Sequence, residues 1–301
     1  MGPKTAMTRS DGTNVLSDIK VREAMRKIPV YLSPDSQIEL AVRCAVKFKI
    51  NAVLIIGQGF EAVGVISKTD LMYAYYAGLP ISAPVAVVMR SPPLFCRLDD
   101  SLDRALDVMR ESKVSRLYVL GNAPGQAVGV LSYPDIVGLL YRYCHKCEFN
   151  TLRSKRQDRT SPVPDIFKVC EVMGPVSLSF RAEDSLLTVM EGMSASGEAA
   201  LILDENGLPV GVVSKTDLIL AYRHGVPTTA QARAVMSSPV RSCDKDETLV
   251  NAIQKMIFSD LHRFFVCRGN PENIVGVISL ADAARVRSGS CRACMPSRIT
   301  L

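Results

Sequence analysis

The sequence contains no tryptophan and only three histidines, and aromatic residues make up 6% of its 301 positions. Sugar-binding clefts and stacking platforms for single-stranded nucleic acid lean on aromatic rings, so neither class is expected. No apolar run reaches the ~18–20 residues that a membrane-crossing helix needs. The stretch Met1–Lys20 is polar and lacks the apolar core of a signal peptide, so a cytoplasmic location is the expectation. A Gly-x-x-x-x-Gly-Lys-Ser/Thr phosphate loop is missing, and no acid–base pair stands in a catalytic signature. A non-enzymatic protein is therefore expected. Charge is close to balance, with 36 Lys plus Arg against 30 Asp plus Glu. The excess of +6 is local: residues 141–160 and 285–301 together carry more than all of it.

Hydrophobic residues reach 48%, enough for a sizeable core, and the length suits about two domains at ~150 residues each. One phrase occurs four times, as Gly, two apolar residues, Ser, any two residues, Asp. The copies run Gly64–Asp70, Gly129–Asp135, Gly211–Asp217 and Gly276–Asp282. Their glycines are 65, 82 and 65 residues apart, so the larger period is 147. The chain reads as two modules of two units each.

Every unit has the same order of signals. A short segment ends in methionine: Val21–Met25, Val85–Met89, Val169–Met173 and Ala232–Met236. A helix start of acidic and hydroxyl residues follows at Asp35-Ser36, Asp100-Ser101, Asp184-Ser185 and Asp246-Glu247-Thr248. Leu102, Ala105, Leu106 and Met109 then form an amphipathic stripe, as do Leu249, Ala252, Ile253 and Met256. Strand formers come next at Ala52–Ile56, Arg116–Leu120, Ala199–Leu203 and Arg263–Cys267, ahead of a second strand with the Gly-x-x-Ser phrase. The fold class is α/β (α+β), with β-α-β-β-α units of about 60 residues, too small to be stable singly.

Ser-x-x-Asp at a helix start is itself close to a capping box, which needs no ligand. The same geometry also suits one. A glycine lets a group approach the backbone, helix-start N–H groups favour an anion, and one carboxylate accepts from two neighbouring hydroxyls.

The four units resemble cystathionine β-synthase (CBS) domains over residues 21–143 and 168–288. The resemblance rests on the Met-ended lead-in, Pro34-Asp35-Ser36, the strand pair and the four phrases. It implies pairing into two Bateman modules and binding of AMP, ADP, ATP or S-adenosylmethionine in the clefts. It further implies Asp70, Asp135, Asp217 and Asp282 as ribose acceptors, with Ser67, Ser132, Ser214 and Ser279 beside them. Four-unit sensors of this family carry a His-Arg step that contacts phosphate. Here His262-Arg263 matches it and Arg116 stands at the equivalent place in unit 2. The odd units have Asn51-Ala52 and Glu198-Ala199 there, less suited to phosphate. Unit 2 departs with Tyr133-Pro134 inside its phrase. The resemblance implies a regulated protein of unknown identity as partner, and either a self-contained monomer or a homodimer.

Nine cysteines suit a reducing compartment, where clustered thiols point to metal or redox use. Cys144-His-Lys-Cys147 and Cys291-Arg-Ala-Cys294 are 147 residues apart, the module period itself. Two such pairs have the spacing of a four-cysteine zinc site, and thiolates also suit an iron–sulfur cluster. Alternatives are a cysteine redox sensor and a metal-stabilised scaffold that binds nucleic acid or protein. Cys44, Cys96, Cys170, Cys243 and Cys267 read as core or near-core. The expected division is a tail at 1–20, units at 21–80 and 84–147, a basic linker at 148–167, units at 168–227 and 231–290, and a cysteine tail at 291–301.

Overall fold

The computed structural model describes residues 18–27, 29–121, 125–146, 168–196 and 199–285. After helix α1 (Val21–Ala24) and strand β1 (Arg26–Lys27), unit 1 comprises β2 (Tyr31–Leu32), α2 (Ile38–Lys47), β3 (Ala52–Ile56), β4 (Ala62–Ser67) and α3 (Lys68–Tyr76). Unit 2 comprises β5 (Phe95–Arg97), α4 (Leu102–Glu111), β6 (Arg116–Leu120), β7 (Ala127–Ser132) and α5 (Tyr133–Lys146). Unit 3 follows with β8 (Ser179–Arg181), α6 (Leu186–Ser196), β9 (Ala200–Leu203), β10 (Pro209–Val213) and α7 (Lys215–Arg223). Unit 4 has β11 (Ser242–Asp244), α8 (Leu249–Phe258), β12 (Arg263–Arg268), β13 (Asn270–Ser279) and α9 (Leu280–Arg285).

In each unit the first strand pairs parallel with the second, and the second pairs antiparallel with the third. The helix between the first two strands is the crossover that a parallel pair requires. The expected β-α-β-β-α order holds in all four units. The expected strands match in units 1 and 2. In unit 3 the strand begins one residue later, at Ala200, and in unit 4 it runs one residue further, to Arg268. The apolar stripes of α4 and α8 are buried as their spacing requires.

Ser101, Ser185 and Thr248 accept from backbone N–H groups three residues on, at 3.2, 3.2 and 3.4 Å, and so cap their helices. Unit 1 differs. Its N-cap is Gln37, not Asp35 or Ser36, and no side chain caps α2. Register explains the shift: Gln37 stands where the other units place Ser or Thr. Ile38 N and Glu39 N donate to Ala83 O and Ile81 O, as Leu186 N and Leu187 N of the capped unit 3 helix donate to Ala230 O and Thr228 O.

The methionine lead-ins are exchanged within each module. Strand β1 pairs with β7 of unit 2, while Arg90 bridges to Val65 of unit 1. Module 2 repeats this, with Gly174 bridged to Val277 and Ser237 to Val212. Each phrase glycine lies against an exchanged lead-in. A methyl group on Gly64, Gly129, Gly211 or Gly276 would sit 2.7, 2.7, 2.6 or 2.8 Å from Sδ of Met89, Met25, Met236 or Met173. The close approach expected at these glycines is therefore made by a methionine of the sister unit.

The two main apolar cores cross between modules. One joins units 1 and 3 through α2, α3, α6 and α7, and includes Leu71, Met72, Leu218 and Ile219. The other joins units 2 and 4 through α4, α5, α8 and α9, and includes Leu106, Ile136, Ile253 and Ala284. A smaller cluster, Leu54, Tyr118 and Val130, lies between the sheets of units 1 and 2. Pairing through sheets builds each module, and pairing through helices joins the modules.

Candidate functional site

Each phrase ends a strand and opens a helix, so its Ser and Asp stand at the strand's exit. In every copy the Ser and Asp bond to each other. Ser67 N and Oγ donate to Asp70 Oδ2 at 2.8 and 2.6 Å, and Asp70 N returns a bond to Ser67 Oγ at 3.3 Å. Ser214 repeats this toward Asp217 Oδ2 at 2.8 and 2.5 Å, and Ser279 toward Asp282 Oδ2 at 2.9 and 2.6 Å. Ser132 N donates to Asp135 Oδ2 at 2.8 Å, and Ser132 Oγ bonds the same oxygen. The reciprocal capping box is thus built in units 1, 3 and 4, and unit 2 makes the bonds toward its Asp. This leaves one oxygen of each carboxylate directed elsewhere.

That second oxygen meets the residue after the exchanged methionine. Asp70 Oδ1 accepts from Arg90 Nε at 2.6 Å, and Asp135 Oδ1 lies 2.9 Å from Arg26 Nε. Asp217 Oδ1 accepts from Ser237 Oγ at 2.8 Å. The equivalent position for Asp282 is Gly174, which has no side chain to offer. The sequence reading missed Arg26 and Arg90. The Met-Arg, Met-Arg, Met-Gly and Met-Ser endings of the lead-ins were the available signal, but only the exchange of lead-ins shows which phrase each one serves.

Strand register sets the arginines of the even units. Arg116 pairs with Ser132 across β6 and β7, and Arg263 with Ser279 across β12 and β13. Each therefore stands beside the Ser-Asp pair of its own unit. Arg116 Nη1 reaches out of unit 2 to donate to Ala52 O at 2.9 Å, at the unit 1 position where the pattern has alanine. Its Nε is buried and has no hydrogen-bond partner. Burial chiefly pushes Arg116 below its ordinary range, the Tyr118 hydroxyl beside it opposes that shift, and Arg26 adds to it. Burial likewise lowers Arg263, against the pull of Asp282.

His262 crosses to the other module. Its Nδ1 is 3.2 Å from Asn51 Nδ2, at the head of the unit 1 strand. Burial lowers its basicity first, then the charge of Lys68, with Arg116 and Arg26 also contributing and Asp260 opposing. Lys68 and Lys215 are half-buried, and each bonds across the boundary between modules. Lys68 Nζ donates to Thr216 Oγ1 at 2.8 Å, and Lys215 Nζ to Thr69 Oγ1 at 2.7 Å. Each lysine so reaches into the opposite module, where Asp217 acts on Lys68 and Asp70 on Lys215. In the even units the same phrase position holds Tyr133 and Leu280, both buried in the core of units 2 and 4. Tyr133 is thus a core residue and does not fill a cleft. The position after the phrase serine meets the other module in all four units. It is cationic in one pair and apolar in the other.

The structure therefore brings Arg26, Lys68, Arg116 and His262 together from units 1, 2 and 4, beside Asp135 and Asp217. Three of the four are cations; Arg26 and His262 are exposed and Lys68 and Arg116 half-buried, and with one unpartnered guanidinium nitrogen on Arg116 the group suits an anion. A cavity of about 460 Å³ lies at the far end of β6, lined by Phe95, Cys96, Arg97, Asp100, Arg104 and Leu120, and contains none of these residues.

Cys147, Cys291, Cys294 and Glu198 lie outside the described residues, as does the side chain of Cys144. Among the described residues no cluster of three or more His, Cys, Asp or Glu could hold a metal, and no helix is long and apolar enough to cross a membrane. Cys96, Cys243 and Cys267 are buried and Cys44 is half-buried, but Cys170 is exposed on the outer side of a 3₁₀ turn.

Four like units, exchanged lead-ins and a cationic centre define a tandem-repeat protein of paired α/β units. The CBS domain family matches residues 21–77, 85–142, 169–224 and 232–289, and the chain belongs to that family. Among solved structures the chain is similar to protein MJ1225 from Methanocaldococcus jannaschii, described as a candidate archaeal homologue of γ-AMPK. Identity there is 16%, the match covers 89% of this chain and 99% of that one, and the TM-score is 0.73. An uncharacterized conserved protein from Pyrococcus horikoshii matches at 19% identity over 89% and 100% of the two chains, with a TM-score of 0.57. CBS domain protein PAE2072 from Pyrobaculum aerophilum, complexed with AMP, matches 39% of this chain and 90% of that one at 23% identity and a TM-score of 0.37. No curated protein matches the chain.

Proposed function

We propose that the chain is a non-enzymatic regulatory protein that binds adenine nucleotides or S-adenosylmethionine between its paired CBS units. Arg26, Lys68, Arg116 and His262 carry this reading, because they converge beside motif carboxylates, with Lys68 and Arg116 half-buried and Arg116 Nε without a partner. Asp70, Asp135, Asp217 and Asp282 accept ribose hydroxyls, the motif serines lie beside them, and Arg116, His262 and Arg263 meet phosphate. The site joins residues of both modules. A bound nucleotide therefore changes how the modules sit on each other, and a regulated protein reads that change. The test is thermal unfolding and calorimetry with AMP, ADP, ATP and S-adenosylmethionine. A ligand at 100-fold its Kd raises stability by about 2.7 kcal/mol. Arg116→Gln should weaken the phosphate-bearing ligands most. If no adenine compound at millimolar concentration shifts unfolding or gives binding heat, the reading fails.

Packing supports a metal tie as well. Helix α5, whose last turn includes Cys144, and helix α9, which precedes Cys291, lie against each other. Cys144, Cys147, Cys291 and Cys294 then close one structural zinc site across the modules, or hold an iron–sulfur cluster. Native mass spectrometry should find metal on the intact chain and lose it in a Cys291→Ser, Cys294→Ser variant. A metal-free mass after chelator-free purification overturns this part alone.

A further inference from the structure

The carboxylates of units 1 and 3 sit in matching backbone frames. Val65 bridges Arg90 as Val212 bridges Ser237. Ser91 Oγ donates to Val63 O at 2.7 Å, and Ser238 Oγ donates to Val210 O at 2.9 Å. Each site also feels one lysine of the other module, Lys215 at Asp70 and Lys68 at Asp217. Neither the frame nor the lysines tell the two sites apart. The residue after the exchanged methionine does. Asp70 Oδ1 is held by a guanidinium at 2.6 Å, and Asp217 Oδ1 by a hydroxyl at 2.8 Å. Asp135 repeats the first case with Arg26 at 2.9 Å.

A carboxylate that receives a ribose diol must release whatever already occupies its second oxygen. Ser237 Oγ donates a single bond from an uncharged, exposed residue, and rotation frees the acceptor. Arg90 and Arg26 instead hold their carboxylates as ion pairs, so freeing the oxygen separates opposite charges. A neutral diol cannot replace the charge it displaces. A phosphate can, because it gives the released arginine a second anion nearby.

We propose that the sites differ in ligand class. The Asp217 site accepts an uncharged adenosine, whereas the Asp70 and Asp135 sites require a 5′-phosphate to draw Arg90 and Arg26 off their carboxylates. Arg90, Arg26 and Ser237 are the residues that set this difference. The inference rests on the adenosine-binding reading above.

Calorimetric titration of the full chain with adenosine and with AMP separates the two ideas. Wild type should bind more AMP per chain than adenosine. Asp217→Asn should remove one adenosine site per chain, while AMP still fills the arginine-held sites. Ser237→Arg, at an exposed position, should weaken adenosine about tenfold or more, a change of one log unit in Kd. Arg90→Ser should add one adenosine site per chain and weaken AMP there. The inference is overturned if AMP binds but adenosine fills the same number of sites, if Ser237→Arg leaves adenosine unchanged, or if Asp70→Asn removes adenosine where Asp217→Asn does not. Failure of wild type to bind either compound overturns the adenosine-binding reading itself. Unfolding midpoints of each variant near wild type exclude misfolding as the cause.

Discussion

Tyr75 and Tyr222 stack with ring centroids 5.1 Å apart and planes 19° from parallel. Each hydroxyl donates to a carbonyl of the opposite module, Tyr75 to Val226 O and Tyr222 to Leu79 O, both at 2.6 Å. The pair pins units 1 and 3 together at equivalent points. Tyr75→Ala should destabilise the chain by about 3–5 kcal/mol, the range for loss of a large buried aromatic. Tyr75→Phe should cost about 1 kcal/mol, because Val226 O loses its donor. In a double-mutant cycle with Tyr222→Ala the two losses should not add. Urea denaturation measures all three, and a Tyr75→Ala loss below about 1 kcal/mol would contradict the assigned role.

Lys68 links acidity to binding. Burial, and after it the charge of Arg116, lower its pKa from 10.5 to about 8, against the pull of Asp217 and Asp260. Below about pH 8 both folded and unfolded chains hold this proton, and the folded state bears the whole penalty. Between about 8 and 10.5 the unfolded chain holds more protons, so the contribution to stability rises with pH and then levels off. A ligand phosphate nearby favours the charged ammonium. Binding of AMP near pH 8 should therefore take up a proton and weaken at higher pH. Calorimetry in two buffers of different ionisation enthalpy detects the uptake, and Lys68→Met should remove it. Equal heats in both buffers for wild type would count against this coupling.

The phrase glycines make a prediction that differs by position. A methyl on Gly64 meets Met89 Sδ at 2.7 Å, and the nearest backbone atom is Arg90 O at 3.2 Å. A methyl on Gly276 meets Gly174 O at 2.8 Å as well as Met173 Sδ. Both alanine variants should lose about 1–3 kcal/mol through overpacking. Met89→Ala should partly rescue Gly64→Ala, since a flexible side chain is the obstacle. Met173→Ala should not rescue Gly276→Ala, where a carbonyl is in the way. Equal rescue in both, read from denaturation midpoints, would show that the backbone yields.

One substitution should stabilise the chain. Helix α2 has no side-chain cap at Gln37, whereas α4, α6 and α8 have Ser101, Ser185 and Thr248. Gln37→Ser offers Leu40 N a hydroxyl acceptor and should add about 0.5–1 kcal/mol. A drop in the thermal midpoint would mean that Gln37 contributes something its backbone geometry does not reveal.

Much of this architecture was legible because the chain states it four times. The phrase Gly-x-x-Ser-x-x-Asp marked every strand-to-helix junction, and the stripe Leu102, Ala105, Leu106 and Met109 located a buried face. Cys170 was misread as core or near-core, because on its short 3₁₀ turn it is the neighbouring Val169 that is buried. Arg26 and Arg90 escaped notice because no single unit's pattern shows that the lead-ins are exchanged. Each is adjacent in sequence to its own unit and serves the carboxylate of the sister unit. The Lys68–Thr216 and Lys215–Thr69 bonds were equally hidden, since identical Ser-Lys-Thr-Asp strings gave no reason to expect exchange.

The cross-module cores carry a consequence for how such a chain arises. A polypeptide of units 1 and 2 alone would present two half-cores, one carrying Leu71 and Met72 and the other Leu106 and Ile136. It could cover them only by meeting another molecule like itself, at a concentration above its dissociation constant. Joining two copies end to end turns that encounter into an intramolecular one, with an effective concentration in the millimolar range for a short tether. Duplication then frees the two halves to diverge, and the Arg90–Ser237 difference is a trace of that freedom.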